Sequence, residues 1–349
     1  MSRTLIIAPN WIGDAVMSEP LLKKLSTSGA TLAVLATPWV APIYRAMPNV
    51  DQVIEADFSH GKLELSLRFA IAKQLKKEAF QQVFILPNSW KSILIPLLAR
   101  IPQIFAYKGE LRSPLLSKFL PNPPKKNRPP MVAHYLHLVN LVGLPDNDSA
   151  AHLLQPRLQI SFVEQQNALN VISSFPQPNF YVLAPGAEFG PAKQWPSKHF
   201  SELANQLLNH DPDSCVVLMG SSKDRTICDE IIQNTHPSLH VRMINLCGLV
   251  SLDQAIALIP KAKGLASNDS GIMHIAAAFG IPQIAFYGSS DPKHTPPLSP
   301  YAEILFLGLD CSPCHQRKCP LGHLNCLNQI TPQSAFIELN RCITLRNTH

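Results

Sequence analysis

The amino-acid sequence predicts an α/β protein with two domains. Short apolar runs typical of buried parallel strands alternate with helical patterns along both halves of the 349-residue chain. Polar segments containing glycine follow three of these runs, and a chain of this length exceeds what one hydrophobic core normally serves. Composition and periodicity alone establish no more than this class.

The first half is predicted to consist of strands separated by helices. Its first strand, residues 4–9, is continuously apolar and precedes the polar segment NWIGD and a helical pattern. Pro20 either kinks that helix or lies in the first turn of one beginning near Ser18. Three later strands are predicted at residues 32–35, 52–54 and 82–86.

The second half is predicted to start after a linker at residues 145–157. A helix near residues 161–174 precedes a strand at residues 180–184. Further strands are predicted at residues 215–220 and 262–266, and an apolar helix follows the second of them.

The segment SNDSGIMH at residues 267–274 joins that strand to that helix. Asn268 and Ser270 are residue types that cap helices, and Gly271 lets a ligand approach the backbone. The first turn of the helix offers free N–H groups and the positive end of a helix dipole, which favour phosphate. Standing alone, the segment is explained equally well as an ordinary capped loop.

Two other segments follow predicted strands, NWIGD at residues 10–14 and PGAEFGPAKQWP at residues 185–196. Open α/β sheets bind ligands at the carboxyl ends of strands, where these segments lie. The three spaced glycines of a dinucleotide-binding fold and the P-loop are both absent from the sequence. The sequence therefore indicates a nucleotide site of a less common type.

Taken in order, the three segments resemble the signatures of the ADP-heptose:lipopolysaccharide heptosyltransferases of glycosyltransferase family 9, and the resemblance covers about residues 1–345. EFGPAK at residues 188–193, YGSS at 287–290 with TPPL at 295–298, and CSPC at 311–314 favour the heptosyltransferase II group.

The resemblance implies the GT-B fold, in which two Rossmann-like domains face each other across a cleft. Residues 1–155 would bind the acceptor and residues 156–349 would bind ADP-heptose, with the last helix expected to pack back on the first domain.

The implied reaction is an inverting transfer of heptose from ADP-L-glycero-D-manno-heptose to the first heptose of the lipopolysaccharide inner core, heptosyl-Kdo2-lipid A. The alternatives are a sister enzyme that adds the first or a branching heptose, and a nucleotide-binding module without turnover. The presence of both Asp14 and Lys193 counts against the module, because a chain that no longer catalyses transfer need retain neither.

Transfer to a hydroxyl requires a group that takes the proton and a group that stabilises the departing diphosphate. Asp14 matches the family's proposed catalytic aspartate; without the resemblance it would more simply be a helix cap. Lys193 is expected to neutralise charge on the leaving ADP, and its simpler interpretation is a solvated lysine near a helix start.

Three neighbouring residues before Lys193 are expected to contact the donor through their backbone: Gly186, Ala187 and Glu188. Glu188 is the weakest of these candidates, because a carboxylate repels a diphosphate unless it binds sugar hydroxyls.

The segment at residues 267–274 supplies the remaining donor-binding candidates. Asp269 is assigned to a ribose hydroxyl or to the orientation of loop N–H groups, and Ser270 and Gly271 are assigned to phosphate oxygens. His274, four residues beyond Ser270, either faces the phosphates or is packed in the interior.

No cofactor is expected to be required, apart from Mg²⁺ that the nucleotide itself can carry. The acidic run at residues 146–148 belongs to the predicted linker, and a lysine with a helix dipole can replace the divalent ion of other transferases.

Four of the eight cysteines lie within sixteen residues, at Cys311, Cys314, Cys319 and Cys326. A CxxC pair with further cysteines and a histidine nearby is one pattern of a zinc site, but the remaining spacings are not those of a standard zinc ribbon. We expect reduced thiols that pack a loop, with well under one zinc bound per chain.

The distribution of basic residues indicates what kind of acceptor the protein binds. The chain has a formal net charge of +6, and residues 105–130 contain six cations against a single Glu110: Lys108, Arg112, Lys118, Lys125, Lys126 and Arg128. A solvated surface is the ordinary explanation, and nucleic acid is disfavoured because no nucleic-acid recognition motif accompanies the charge. An acceptor carrying phosphates on an anionic bilayer explains the cluster better.

No cleavable apolar segment follows Met1, and the most apolar long window, residues 93–106, is too short to span a bilayer. We therefore expect a cytoplasmic protein, peripheral on the inner face of the inner membrane.

Overall fold

The computed structural model describes residues 2–58, 62–124, 128–146, 154–170 and 179–348. The chain divides into two compact units, residues 1–159 and residues 160–349. Each unit contains a parallel sheet of six strands, which confirms the predicted α/β class with two Rossmann-like units. Most of the predicted linker (residues 147–153) and the end of the helix predicted near residues 161–174 lie outside the described residues.

The first unit is built on a sheet with the strand order β3-β2-β1-β4-β5-β6. All neighbouring strands in it are parallel. Its strands are β1 (Arg3–Ile7), β2 (Thr31–Ala36), β3 (Gln52–Glu55), β4 (Gln82–Ile85), β5 (Gln103–Tyr107) and β6 (Lys118–Leu120).

Helices connect these strands in the order expected of a doubly wound sheet. They are α1 (Ile12–Met17), α2 (Glu19–Thr27), α3 (Ala41–Arg45), α4 (Leu65–Lys77), α5 (Leu94–Leu98) and α6 (Met131–Leu136). Of the two predictions for Pro20, the second is confirmed: Ser18 lies at the N-cap position of α2 and Pro20 lies in its first turn, where a missing N–H costs no helical hydrogen bond.

The second unit repeats the same strand order, written β9-β8-β7-β10-β11-β12 from the opposite edge. Its strands are again all parallel. They are β7 (Asn179–Ala184), β8 (Ser214–Leu218), β9 (Met243–Asn245), β10 (Gly264–Asn268), β11 (Gln283–Tyr287) and β12 (Ala302–Phe306).

The helices of the second unit include one that begins immediately beyond the carboxyl end of β10. They are α7 (Phe162–Leu169), α8 (Ser197–His210), α9 (Arg225–Asn234), α10 (Leu252–Leu258), α11 (Gly271–Ala278), α12 (Asn325–Asn328) and α13 (Pro332–Asn347). The last of these, α13, packs against α8 and against strands β10, β11 and β12 of its own unit.

Each unit has its own hydrophobic core formed by inward-facing residues of its sheet and helices. In the second unit the ring of Trp195 is fully buried and stacks on Phe286, with ring centroids 4.0 Å apart. The indole N–H of Trp195 donates to the backbone oxygen of Ile330 at 3.0 Å. This packing fixes the end of the loop that follows β7.

The cluster of cations at residues 105–130 is less uniform than the sequence suggested. Arg112 is only 1% exposed, and its guanidinium donates to three backbone oxygens, of Pro87, Ser89 and Tyr107. The interpretation of Arg112 as part of a solvated or acceptor-binding surface is therefore wrong, because the side chain organises neighbouring loops.

Lys118 lies in the edge strand β6, and its ammonium donates to the backbone oxygen of Leu141 at 3.0 Å. Lys108 and Arg128 are exposed, whereas Lys125 and Lys126 lie outside the described residues. Within the described ranges, no helix is both long enough and apolar enough to cross a membrane.

Candidate active site

The second unit brings two predicted site segments together at the point where its strand order reverses. Strands β7 and β10 are neighbours in the sheet but are followed along the chain by connections that leave in opposite directions. Open α/β sheets bind ligands at the carboxyl ends of such strands. Residues 185–196 follow β7 and residues 269–271 follow β10, so both lie at this edge of the sheet.

Asn268 cross-links the two loops. Its amide donates to the backbone oxygen of Pro185 at 2.7 Å, and its carbonyl oxygen accepts from the backbone N–H of Trp195 at 2.9 Å. The prediction that Asn268 caps the following helix is wrong, because Asn268 is the last residue of β10 and its side chain is committed to the neighbouring loop.

The ammonium of Lys193 and the carboxylate of Asp269 form an ion pair, with Nζ and Oδ2 separated by 2.5 Å. Their side chains are only 17% and 6% exposed, so solvent screens the pair weakly. Asp269 therefore positions Lys193, a role that neither sequence-based assignment for Asp269 contained. Lys193 is held in an ordered, mostly buried environment rather than on a solvated surface.

Serine hydroxyls without partners lie at the carboxyl ends of the adjacent strands β10 and β11. Ser270 occupies the N-cap position of α11, but its side chain makes no capping hydrogen bond. Its oxygen and those of Ser289 and Ser290 are buried and have no hydrogen-bond partner among the described residues. Because buried hydroxyls are normally hydrogen-bonded, these three groups fit a ligand with several acceptor oxygens.

Gly271 is the first residue of α11, and His274 lies one turn further along the helix. His274 is buried, and this burial lowers its pKa to about 4; the charge of Asp269 acts in the opposite direction and that of Lys193 in the same direction. At neutral pH the imidazole is therefore uncharged and can serve as a hydrogen-bond partner, not as a cation.

The loop after β7 begins with residues that lie close to the segment following β8. A Cβ atom on Gly186 would lie 2.5 Å from the carboxyl carbon of Asp224, so only glycine fits there without displacing that carboxylate. Ala187 accepts a hydrogen bond from the backbone N–H of Gly190 at 3.1 Å. The exposed carboxylate of Glu188 is paired with Lys223 at 2.7 Å.

Asp14 belongs to the first unit, where it lies in the first turn of α1, beyond the carboxyl end of β1. Its side chain is half-buried. Burial chiefly, and the Asp14 charge in addition, raise the pKa values of Tyr44 and Tyr135. The carboxylate therefore lies near two buried phenols at the sheet edge where ligands of such folds bind.

The four clustered cysteines line one small pocket, together with Ala192, Ser289 and His323. Backbone N–H groups, that of Leu324 above all, hold the pKa of the Cys319 thiol below its ordinary range. Across the residues that the structure describes, no three histidine, cysteine, aspartate or glutamate side chains are arranged to hold a metal ion.

Comparison with known proteins decides the family. The family model described as glycosyltransferase family 9 (heptosyltransferase) matches residues 68–325. The chain belongs to glycosyltransferase family 9.

Relatives within this family match almost the whole chain. The lipopolysaccharide heptosyltransferase 2 of Escherichia coli K12 is 37% identical over 97% of both chains. Lipopolysaccharide heptosyltransferase 2 of Salmonella typhimurium is 36% identical over 98% of this chain and 99% of its own. The solved structure of E. coli ADP-heptose lps heptosyltransferase II superimposes with a TM-score of 0.86 at 35% identity, covering 99% of each chain.

These matches confirm the predicted GT-B fold class and show that the chain is a heptosyltransferase enzyme. Three residues of the candidate site received no role from the sequence, namely Ser289, Ser290 and Asp224. The two serines belong to the YGSS motif, and their position directly after an apolar run is the signal that could have assigned them a role.

Proposed function

We propose that this family 9 enzyme transfers heptose from ADP-heptose to the first heptose of the lipopolysaccharide inner core, with inversion at the anomeric carbon. The relatives named lipopolysaccharide heptosyltransferase 2 support this assignment. So does the similarity to the solved E. coli protein, which is named as an ADP-heptose lps heptosyltransferase II.

The observation that carries the proposal is the arrangement at the carboxyl ends of β7, β10 and β11. A buried lysine, three partnerless hydroxyls and the start of an eight-residue helix converge there in the described part of the chain. These groups match the needs of a diphosphate, which requires positive charge and hydrogen-bond donors. Lys193, Ser270 and Gly271 would contact the phosphates, and Gly186, Ala187 and Glu188 would contact other parts of the donor.

In the proposed reaction the acceptor hydroxyl attacks the anomeric carbon as the bond from that carbon to the ADP oxygen breaks. The hydroxyl proton passes to the carboxylate of Asp14, and ADP departs with the electron pair of the broken bond. Lys193 stabilises the negative charge that grows on the leaving diphosphate. One displacement with one base inverts the configuration of the sugar.

Protein groups supply the charge in this proposal, so no resident cofactor is required. Mg²⁺ carried by the nucleotide would add to the neutralisation of the diphosphate by Lys193 and the α11 dipole.

The enzyme is proposed to work at the cytoplasmic face of the inner membrane as a peripheral protein. The exposed cations Lys108 and Arg128 support this location, because anionic lipid attracts basic surface segments. If this location is correct, the protein should bind vesicles of anionic lipid, and the binding should weaken as the salt concentration is raised. Binding that does not depend on salt would show that these cations are ordinary solvated surface residues without a role at the membrane.

The experiment that tests the proposed function measures ADP release from ADP-heptose in the presence of defined acceptors. Kdo2-lipid A, heptosyl-Kdo2-lipid A and a core with two heptoses are compared at equal concentration. Release only with heptosyl-Kdo2-lipid A is expected.

Other outcomes contradict specific parts of the proposal. Release with Kdo2-lipid A alone would identify the sister enzyme that adds the first heptose, and release with the two-heptose core would identify a branching enzyme. Tight ADP binding without release from any acceptor would favour the binding module.

A further inference from the structure

Residues 311–324, which contain three of the clustered cysteines and are called the cysteine segment here, dock on the loop that follows β7. The backbone N–H of Ala192 donates to the backbone oxygen of Arg317 at 3.1 Å. Gly190, with φ +144°, permits this approach, because a Cβ atom there would lie 2.7 Å from the same oxygen.

A second pair of contacts ties the cysteine segment to the carboxyl end of β11. The backbone N–H of His315 donates to the backbone oxygen of Ser289 at 2.7 Å, and the hydroxyl of Ser312 donates to the backbone oxygen of Gly288 at 2.5 Å. The backbone around Arg317 is therefore fixed next to the candidate donor site.

The side chain of Arg317 shares an aromatic neighbour with Lys193. The guanidinium carbon of Arg317 lies 5.5 Å from the centroid of the Phe189 ring, and Nζ of Lys193 lies 5.1 Å from the same centroid. The two cations are thus at most about 11 Å apart. Phe189 holds both by cation–π attraction, which favours Arg and Lys at such distances.

Charge pairing distinguishes Arg317 from the other cations of the site. Lys193 is neutralised by Asp269, and Lys223 is neutralised by Glu188. Arg317 has no ion-pair partner within 4 Å among the described residues, and its side chain is exposed. A leaving diphosphate carries more negative charge than the Lys193–Asp269 pair can offset, since that pair has no net charge.

We propose that Arg317 is a second cation for the donor, binding phosphate oxygens of the ADP group together with Lys193. The inference rests on the proposed function only in taking ADP as the leaving group. A guanidinium suits this role because its planar set of donors can form two parallel hydrogen bonds to a phosphate. The cysteine segment would thereby serve the transfer reaction, because its backbone holds the Arg317 side chain next to the leaving ADP.

The test compares Arg317→Gln with Lys318→Gln, a matched control that removes the same charge from the neighbouring exposed residue. The dissociation constants of ADP and of adenosine are measured by calorimetry at one salt concentration. Arg317→Gln should weaken ADP binding by about tenfold or more, because hydrogen bonds to charged groups are lost, and should leave adenosine binding unchanged. Arg317→Lys should fall between the wild type and Arg317→Gln.

The control defines what would overturn the inference. Lys318→Gln should change ADP affinity by about twofold at most, as expected for an exposed charge. Equal losses in Arg317→Gln and Lys318→Gln, or undiminished ADP affinity in a folded Arg317→Gln protein, would refute a specific role for Arg317. The proposed function would survive either result as long as the wild type binds ADP. A wild type that binds no ADP would refute both.

Discussion

At the scale of single residues, the most informative feature is an ion pair between side chains that are far apart in sequence. Lys193 and Asp269 were each assigned to the donor from their own motif, and 76 residues separate them. Their contact follows from the sheet order, which places β7 beside β10. No local pattern encodes that neighbourhood, so the sequence named both residues as donor-binding candidates without predicting that they pair.

Arg112 is a residue whose environment the sequence predicted wrongly. Its position in a run of cations and prolines indicated a surface residue, yet it is buried among backbone oxygens of neighbouring loops. A guanidinium can be buried where backbone oxygens converge on its two terminal nitrogens, and sequence composition does not reveal whether such acceptors converge.

Replacement of Asp14 tests whether its carboxylate is the general base of heptose transfer. Asp14→Ala should lower the rate of heptose transfer by about 10²–10⁴-fold, the usual cost of losing a general base. ADP affinity should stay close to that of the wild type, since the donor candidates all belong to the second unit. Steady-state ADP release with calorimetry on the same preparation checks both expectations.

Asp57→Asn provides a control, because Asp57 is an exposed carboxylate of the same unit. Wild-type turnover by Asp14→Ala would remove Asp14 from the mechanism.

Glu19 has a buried carboxyl group that the mechanism does not use. It is fully buried at the start of α2, and burial raises its pKa to about 7 although Arg157, Lys23 and Asn49 act in the opposite direction. The folded protein therefore holds the proton more tightly than the unfolded chain, whose pKa is about 4.5. The stability from this group is present below about pH 4.5 and is lost as the pH rises to about 7.

Glu19→Gln should remove this part of the pH dependence. Between pH 5 and pH 8 the free energy of unfolding of the wild type should fall by up to about 3 kcal/mol more than that of Glu19→Gln, measured by urea denaturation. Glu202→Gln, at an exposed glutamate of α8, should retain the wild-type slope. Identical slopes in wild type and Glu19→Gln would show that Glu19 is ionised in the folded state.

At the scale of elements, most of the strands that the sequence predicted have continuous apolar runs, although β3, predicted at residues 52–54, is only partly buried. Strands β1, β2, β4, β7 and β8 are almost wholly buried, which demands such runs. Strand β6 has three residues, mostly exposed, and β12 is half-buried along its length, so neither carries that signal. They form because an existing sheet edge supplies hydrogen-bond partners, which is a tertiary effect.

The cysteine segment yields a prediction about metal content. Its three thiols and that of Cys326 line a pocket, but no metal-holding group of three side chains occurs in the described part of the chain. Protein purified without added metal should contain well under one zinc per chain, measured by elemental analysis. Transfer activity should persist in a chelator that leaves nucleotide-bound Mg²⁺ in place. One tightly held zinc per chain would instead make this segment a metal-bound element.

At the scale of the whole molecule, one strand order is used in both units. In each unit the strand order reverses between two neighbouring strands, β1 and β4 in the first unit and β7 and β10 in the second. The candidate catalytic or donor residues lie just beyond the carboxyl ends of these strands or of an adjacent strand. The α/β class was predictable because burial imposes hydrophobic periodicity. The GT-B assignment depended on the ordered motifs, since periodicity does not specify strand order.

The central claim is that this family 9 enzyme transfers one heptose in a single displacement. The most direct measurement is the mass and anomeric configuration of the product formed from ADP-heptose and heptosyl-Kdo2-lipid A, determined by mass spectrometry and nuclear magnetic resonance. We expect the acceptor to gain one heptose whose anomeric configuration is opposite to that of the donor. A product with retained configuration would contradict the single displacement with Asp14 as base, and an unmodified acceptor would contradict the proposed transfer itself.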